Sequence, residues 1–238
     1  MKIAIIGYGK MGHEIEKIAL QRGHQVVAII DEHNVSDFDS PEFLSADAAI
    51  EFTQPISAVD NYKKCFDRNI PVVSGTTGWL SRLGDVKKYC DEADKTFFYA
   101  SNFSIGVNIF FAVNKYLAKI MNRFPNYDVN IEEIHHIHKL DSPSGTAITI
   151  AEGILDNIDR KHQWKEAESG AADDLLIHAR REGETPGIHE VRYASAVDTI
   201  SIKHDAANRR GFALGAVVAA EFIKGKKGFF TMKDMLNL

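Results

Sequence analysis

From Glu132 to Ala147 the chain reads EEIHHIHKLDSPSGTA, with His135, His136, His138 and Lys139 packed into five residues ahead of a Ser-Gly-Thr helix start. An imidazole has an ordinary pKa near 6.5 and can take or deliver a proton near neutrality. A lysine ammonium adds a compact positive charge. A helix N-terminus offers unpaired amides and partial positive charge to an anion. His135 as acid/base and Lys139 as point charge, beside a seat made by the first amides and the Ser144 and Thr146 hydroxyls, suit proton transfer on a small carboxylate. The H-H-x-H spacing also raises a metal site. If 127–138 is a strand, His135, Ile137 and Lys139 share one face and His136 and His138 the other. Consecutive histidines then diverge, and no Cys or close carboxylate completes a tetrahedral set, so no metal is expected. Solvated strand-end histidines are the plainer alternative.

A second cluster, IIGYGKMG, sets Gly7, Gly9 and Gly12 in G-x-G-x-x-G spacing, with Asp31 nineteen residues beyond Gly12. The loop follows an apolar run and opens a helical pattern, as a dinucleotide fingerprint requires. Gly7 permits the tight turn, Gly9 the approach of a pyrophosphate, and Gly12 close helix packing. Asp31 can accept hydrogen bonds from a ribose diol, and its charge repels a 2′-phosphate. Glu32, His33, Asn34 and Val35 bring no compensating base, which favours NADH; NADPH stays open because a base can come from elsewhere in the fold. A glycine-rich turn with a solvated aspartate is the alternative. SGTTG at 74–78 ends another apolar run, so Gly75, Thr76 and Thr77 fall on the cofactor side of a parallel sheet or form a plain turn. YASNF at 99–103 sits similarly.

The elements that must hold these clusters follow from patterning. KIAIIG, QVVAIID, AAIEFT, PVVSGTTG and TFFYAS read as buried strands alternating with helical segments, which predicts an α/β, doubly wound parallel sheet. After about residue 103 the rhythm becomes α+β: a long helix over 105–124, an extended stretch at 127–138, and a helix at 144–159 with Pro143 near N1. A polar connection at 160–172 follows, then strands in DLLIHARR, HEVRYAS and DTISIKHDA, the last two as a hairpin around Ala196-Val197. RRGFALGAVVAAEFIKGK reads as a closing helix that could return to the first domain.

At 238 residues, 45% hydrophobic and 26% charged, the chain has ordinary globular composition. Its formal charge of −5 argues against a nucleic-acid partner. Cys65 and Cys90 fall in helical patterns without metal spacing and read as structural thiols of a reducing compartment. The N-terminal apolar run is too short for a signal peptide, and no run reaches bilayer length, so a cytoplasmic protein without membrane partners is expected.

The motifs also carry a resemblance. EIHHIHKLDSPSGTA, from Glu133 to Ala147, is similar to the E-x-H-H-x-x-K-x-D-x-P-S-G-T-A pattern of the dihydrodipicolinate reductase family, of the diaminopimelate route to lysine. EFT at 51–53, GTTG at 75–78, SNFSIGVN at 101–108 and GFFTMKDML near the end resemble family features too. The resemblance implies a Rossmann dinucleotide-binding domain, 1–103 with 209–238. It also implies a smaller α+β mixed-sheet domain, 104–208, that binds a dicarboxylate heterocycle and builds a homotetramer. It implies hydride transfer from NAD(P)H to C4 of the dehydrated ring, giving tetrahydrodipicolinate, with His135 as proton donor/acceptor and Lys139 as second donor. His136, Gly145 and Thr146 would hold substrate. Cofactor contacts would fall on Gly7, Tyr8, Gly9, Lys10, Met11 and Gly12, on Asp31, on Gly75 to Thr77, and on Ala100, Ser101, Asn102 and Phe103. Arg209 sits where the family carries an arginine, and hinges would lie near 102–105 and 206–209. The glycine loop is one residue shorter than in many members, and the segment after Asp31 is short, so adenosine contacts would differ. Another amino- or imino-acid dehydrogenase of the same build, or a catalytically silent NAD-binding regulator, are the competing readings.

Overall fold

The computed structural model describes residues 1–208 and 210–238. The chain divides into two compact units, Met1–Ile105 with Arg210–Leu238, and Gly106–Arg209.

The first unit alternates strand and helix: β1 (Lys2–Ile6), α1 (Lys10–Gln21), β2 (Gln25–Ile30), α2 (Pro41–Leu44), β3 (Ala48–Glu51), α3 (Pro55–Asp67), β4 (Val72–Ser74), α4 (Leu83–Glu92) and β5 (Thr96–Tyr99). The second unit carries α5 (Ile105–Met121), β6 (Asp128–His135), α6 (Gly145–Leu155), β7 (Gln163–Glu166), β8 (Asp174–Arg181), β9 (Ile188–Ala194) and β10 (Thr199–Asp205). The chain then adds α7 (Arg210–Ile223), β11 (Gly228–Phe230) and α8 (Met232–Leu236) to the first unit.

The first sheet has six strands in the order β11-β5-β4-β3-β1-β2, and every pairing is parallel. Both faces are buried, which explains its continuous apolar strands. Ile3, Ile5, Ala48, Ile50, Val73 and Phe98 form one core with α1 and α7. Ala4, Ile6, Ala49, Val72 and Phe97 form the other with α3 and α4. Cys65 and Cys90 are free and buried in that second core. Burial raises the Cys90 thiol to about 11 and pushes Cys65 higher still. The sequence reading missed β11, which adds Gly228–Phe230 beside Thr96–Phe98 after α7.

The second sheet is mixed, in the order β10-β9-β6-β8-β7. β6 runs parallel to β8 and antiparallel to β9, and β9–β10 is the expected hairpin. Alternate residues Val129, Ile131, Leu175, Ile177, Val191 and Tyr193 pack on Phe110, Ala118 and Met121 of α5 and on Ala147, Ile150, Ala151 and Ile154 of α6. The segment 160–172, expected as connection only, contains β7, an exposed polar edge strand.

Two expectations near the histidines are corrected. The strand ends at His135 rather than running to 138, because its parallel partner β8 ends opposite it at Arg181. The chain then turns, closed by Lys139 N–H on the His136 carbonyl at 3.1 Å. Pro143 precedes the helix N-cap, Ser144, instead of occupying N1.

Candidate functional site

All strands of the first sheet are parallel, so the turns after β1 to β5 share one edge. Strand order reverses at β1, which has β2 on one side and β3 on the other, and the β1/β3 crevice is the expected ligand position. The glycine loop occupies that point. Gly7 has φ +90°, and a Cβ there would lie 2.1 Å from the Phe52 carbonyl oxygen at the end of β3. A Cβ on Gly12 would lie 2.4 Å from the Gly7 oxygen, whereas one on Gly9 would meet nothing within 4 Å. Gly7 and Gly12 are therefore glycines for packing, while Gly9 leaves open space before the α1 amides. That is the division of roles a pyrophosphate cradle needs.

The flanking residues divide in the same way. Gly9 and Lys10 are exposed, and Tyr8 and Met11 half-buried. The Tyr8 hydroxyl donates to Glu16, and that hydrogen bond raises its pKa. Asp31 is exposed; its Oδ1 accepts the Glu32 N–H at 2.9 Å and its own N–H donates to Asn34 at 2.7 Å.

Beneath the turns after β3 and β4 lies Glu51, fully buried and pushed up in pKa by that burial. Its carboxyl accepts from the Ser74 hydroxyl at 2.7 Å, from Thr76 at 2.9 Å, and from Thr53. Thr76 Oγ1 also accepts the Thr53 N–H at 2.8 Å, so the Thr76 side chain belongs to this buried network. Gly75 is required because a Cβ would come within 2.2 Å of the Phe52 ring, while Thr77 is exposed. Ala100 and Phe103 are buried in the core; Ser101 is exposed, and Asn102 Oδ1 accepts the Ser104 N–H at 2.9 Å.

In the second unit, β6 places Glu133 and His135 two residues apart on its buried face. Glu133 is fully buried, and its carboxylate accepts the Ser144 N–H at 3.0 Å and the Ser144 hydroxyl. The Ser144 hydroxyl in turn accepts the Ala147 N–H at 3.1 Å and faces His189 Nε2 at 3.2 Å. Burial works against the Glu133 charge, but the hydrogen bonds from His189 and Ser144 outweigh it and hold its pKa at about 2. Both polar groups of Ser144 are thus committed, and the expected anion seat narrows to the Gly145 and Thr146 amides with the Thr146 hydroxyl. Gly145 is exposed and Thr146 half-buried.

His135 does not keep the ordinary imidazole value expected from its type. Burial lowers it to about 4, against the pull of Glu133 and with help from His189, Lys139 and Arg181. Its Nδ1 lies 3.4 Å from Glu133 Oε2, and its ring centroid 5.0 Å from that of His189. Lys139 Nζ holds both Asp141 oxygens, at 2.7 and 2.9 Å. His136 is half-buried, with its ring 6.1 Å from the exposed His138. Arg209 lies outside the described residues.

His189 was missed in the sequence. It stands directly opposite Glu133 in the β6–β9 register, a pairing no local spacing reveals. Donor atoms of Glu133, His135 and His189 lie within 4.8 Å of one another, so a close carboxylate does complete a potential ligand set, contrary to the expectation. The Ser144 hydroxyl already bridges Glu133 and His189, giving the cluster the character of a proton-holding network.

A parallel sheet with a glycine cradle at its switch point, joined in one chain to a mixed sheet bearing an acid/base cluster, defines a two-domain nicotinamide-dinucleotide oxidoreductase. The chain belongs to the dihydrodipicolinate reductase family: the family's N-terminus profile matches residues 1–103 and its C-terminus profile residues 106–236. It is 49% identical over 241 residues to the 4-hydroxy-tetrahydrodipicolinate reductase of Christiangramia forsetii, covering 100% of this chain and 98% of that one. The Clostridium tetani protein of the same name is 33% identical over 253 residues, covering 100% and 97%. A solved dipicolinate-bound dihydrodipicolinate reductase from Paenisporosarcina sp. TG-14 shares the fold at TM-score 0.77 and 23% identity, with 97% of each chain covered.

Proposed function

We propose that this chain catalyses the NAD(P)H-dependent reduction of 4-hydroxy-tetrahydrodipicolinate to tetrahydrodipicolinate, in the diaminopimelate route to lysine. The observation that carries the reading is the tie, through Glu133, between the His135 imidazole and the first turn of α6. One buried carboxylate thereby fixes a proton-exchanging group relative to an anion seat. Identity to named reductases along the whole chain supports the same reaction.

The Gly145 and Thr146 amides hold a substrate carboxylate, with His136 alongside, while Ser144 shapes the turn from beneath. His135 exchanges a proton with the ring and Lys139 supplies a second. The negative charge of a bound dicarboxylate offsets the burial that keeps His135 neutral in the free enzyme, so substrate itself favours the protonated imidazole. The C4 hydroxyl leaves as water, and the dinucleotide, when bound, would supply the hydride that C4 of the dehydrated ring accepts. Gly7 to Gly12 cradle its phosphates, Asp31 takes the adenosine ribose, and backbone groups of Gly75 to Thr77 and Ala100 to Phe103 line the same sheet edge.

NADH is the preferred cofactor. Asp31 is exposed and followed by EHNVSDFD, a stretch with acids and no Arg or Lys, so a 2′-phosphate would meet uncompensated negative charge. The working form is a cytoplasmic homotetramer. Buried free thiols suit a reducing compartment. The face of the mixed sheet opposite α5 and α6 carries Ile134, Leu176 and Ile188 among polar groups, a surface suited to another copy.

The test is NADH or NADPH oxidation at 340 nm, with the heterocycle generated in situ from pyruvate and aspartate semialdehyde by its synthase. Oxidation that requires the heterocycle, faster with NADH, is expected. Silence with both cofactors, from protein that binds NADH, would move the competing dehydrogenase reading forward.

A further inference from the structure

Beyond tying His135 to the start of α6, Glu133 is the hub of the site. It faces His135 on its own strand, His189 on the neighbouring strand and Ser144 at the start of α6. Building on the reductase reading, we propose that Glu133 is a positioning residue whose carboxylate accepts the His135 Nδ1–H, fixing the tautomer that turns Nε2 toward the substrate.

The argument is electrostatic and steric. His135 is 7% exposed, and its buried Nδ1 makes no hydrogen bond in this structure; the carboxylate oxygen beside it is Glu133 Oε2, at 3.4 Å. An Nδ1 lone pair aimed at a carboxylate would be repulsive, whereas an N–H aimed there is attractive. Charge-assisted contacts of this kind are often long in a free enzyme and tighten in the complex. The other partners leave the carboxylate charged and accepting: Ser144 donates twice, and the Arg181 guanidinium stands 3.5 Å away. With the proton on Nδ1, Nε2 is the atom that exchanges protons.

The opposite side of the ring agrees. A Cβ at Gly187 would lie 3.1 Å from His135 Nε2 and 3.3 Å from Cδ2, at a backbone φ of +154°. A side chain there would press on the edge that has to meet substrate. Glycine keeps it clear, while Glu133 holds the other edge. One carboxylate thus sets both the imidazole tautomer and, through Ser144, the position of the Gly145 and Thr146 amides.

The test uses the NADH-bound enzyme with 15N-labelled histidine. Long-range proton–nitrogen correlation should give His135 a protonated, pyrrole-like Nδ1 and a pyridine-like Nε2, assigned by their disappearance in His135→Gln. In Glu133→Gln the ring should lose that single tautomer. The variant's kcat should fall by about 10⁴-fold, as when a catalytic imidazole loses the carboxylate that orients it, with NADH affinity within twofold of wild type. A proton on Nε2 in the wild-type enzyme would overturn the proposal, and this result is readable even if Glu133→Gln does not fold. So would wild-type kcat in the variant, or joint loss of kcat and NADH affinity, which marks a purely structural role. Failure of the reductase reading looks different: the tautomer stands, but the wild-type enzyme does not turn over the heterocycle.

Discussion

His135 and Lys139 are held in contrasting ways. The imidazole is buried and kept neutral, whereas the ammonium is half-buried and neutralised by Asp141. On the roles proposed for them, removing either should slow chemistry more than cofactor binding. His135→Ala and Lys139→Ala are each expected to lower kcat by about 100-fold or more. NADH affinity, measured by fluorescence titration, should remain within twofold. Loss of NADH binding along with turnover would point to misfolding. Both residues stand out in the sequence by side-chain type and spacing. Glu133 and His189 were not read as partners, because they become neighbours only through the β6–β9 register.

The elements of the first sheet were legible because a strand buried on both faces carries a continuous apolar run, as IAII in β1 and AAI in β3 do. The missed strands, β7 and β11, lie at sheet edges and lack that signal. QWKE has only one half-buried residue, and GFF spans three residues after a helix. The end of β6 was misplaced because the partner strand fixes it, not local propensity. The β1–α1 turn yields a paired prediction. Gly9→Ala meets no atom within 4 Å and should leave thermal stability unchanged while weakening NADH binding at least tenfold. Gly7→Ala combines φ +90° with a 2.1 Å approach to Phe52, and should cost about 1–3 kcal/mol in urea unfolding as well as cofactor affinity. Equal stability of the two variants would contradict the roles assigned to these glycines.

For the whole molecule, His135, buried, and His204, half-buried, make stability depend on pH. His135 is lowered to about 4 by burial, and His204 is lowered for the same leading reason. Between the ordinary value near 6.5 and the folded value, the unfolded chain binds protons that the folded chain refuses. Stability therefore falls on acidification through that window and is fully recovered above it. Glu133 acts in the same sense lower down, since its contribution is present above the ordinary carboxylate value and lost as pH falls toward 2. Urea midpoints from pH 7 to 4 should decline, and His135→Gln should flatten the decline. An unchanged slope in that variant would place the acid sensitivity elsewhere.

The most direct measurement follows the hydride itself. NADH carrying deuterium at both C4 positions of the nicotinamide would be mixed with enzyme and freshly generated heterocycle, and the product analysed by mass spectrometry and NMR. One deuterium at ring C4 of tetrahydrodipicolinate is the predicted result. Product free of deuterium, or labelled at another ring carbon, would contradict the assignment of this chain as the reductase of that ring.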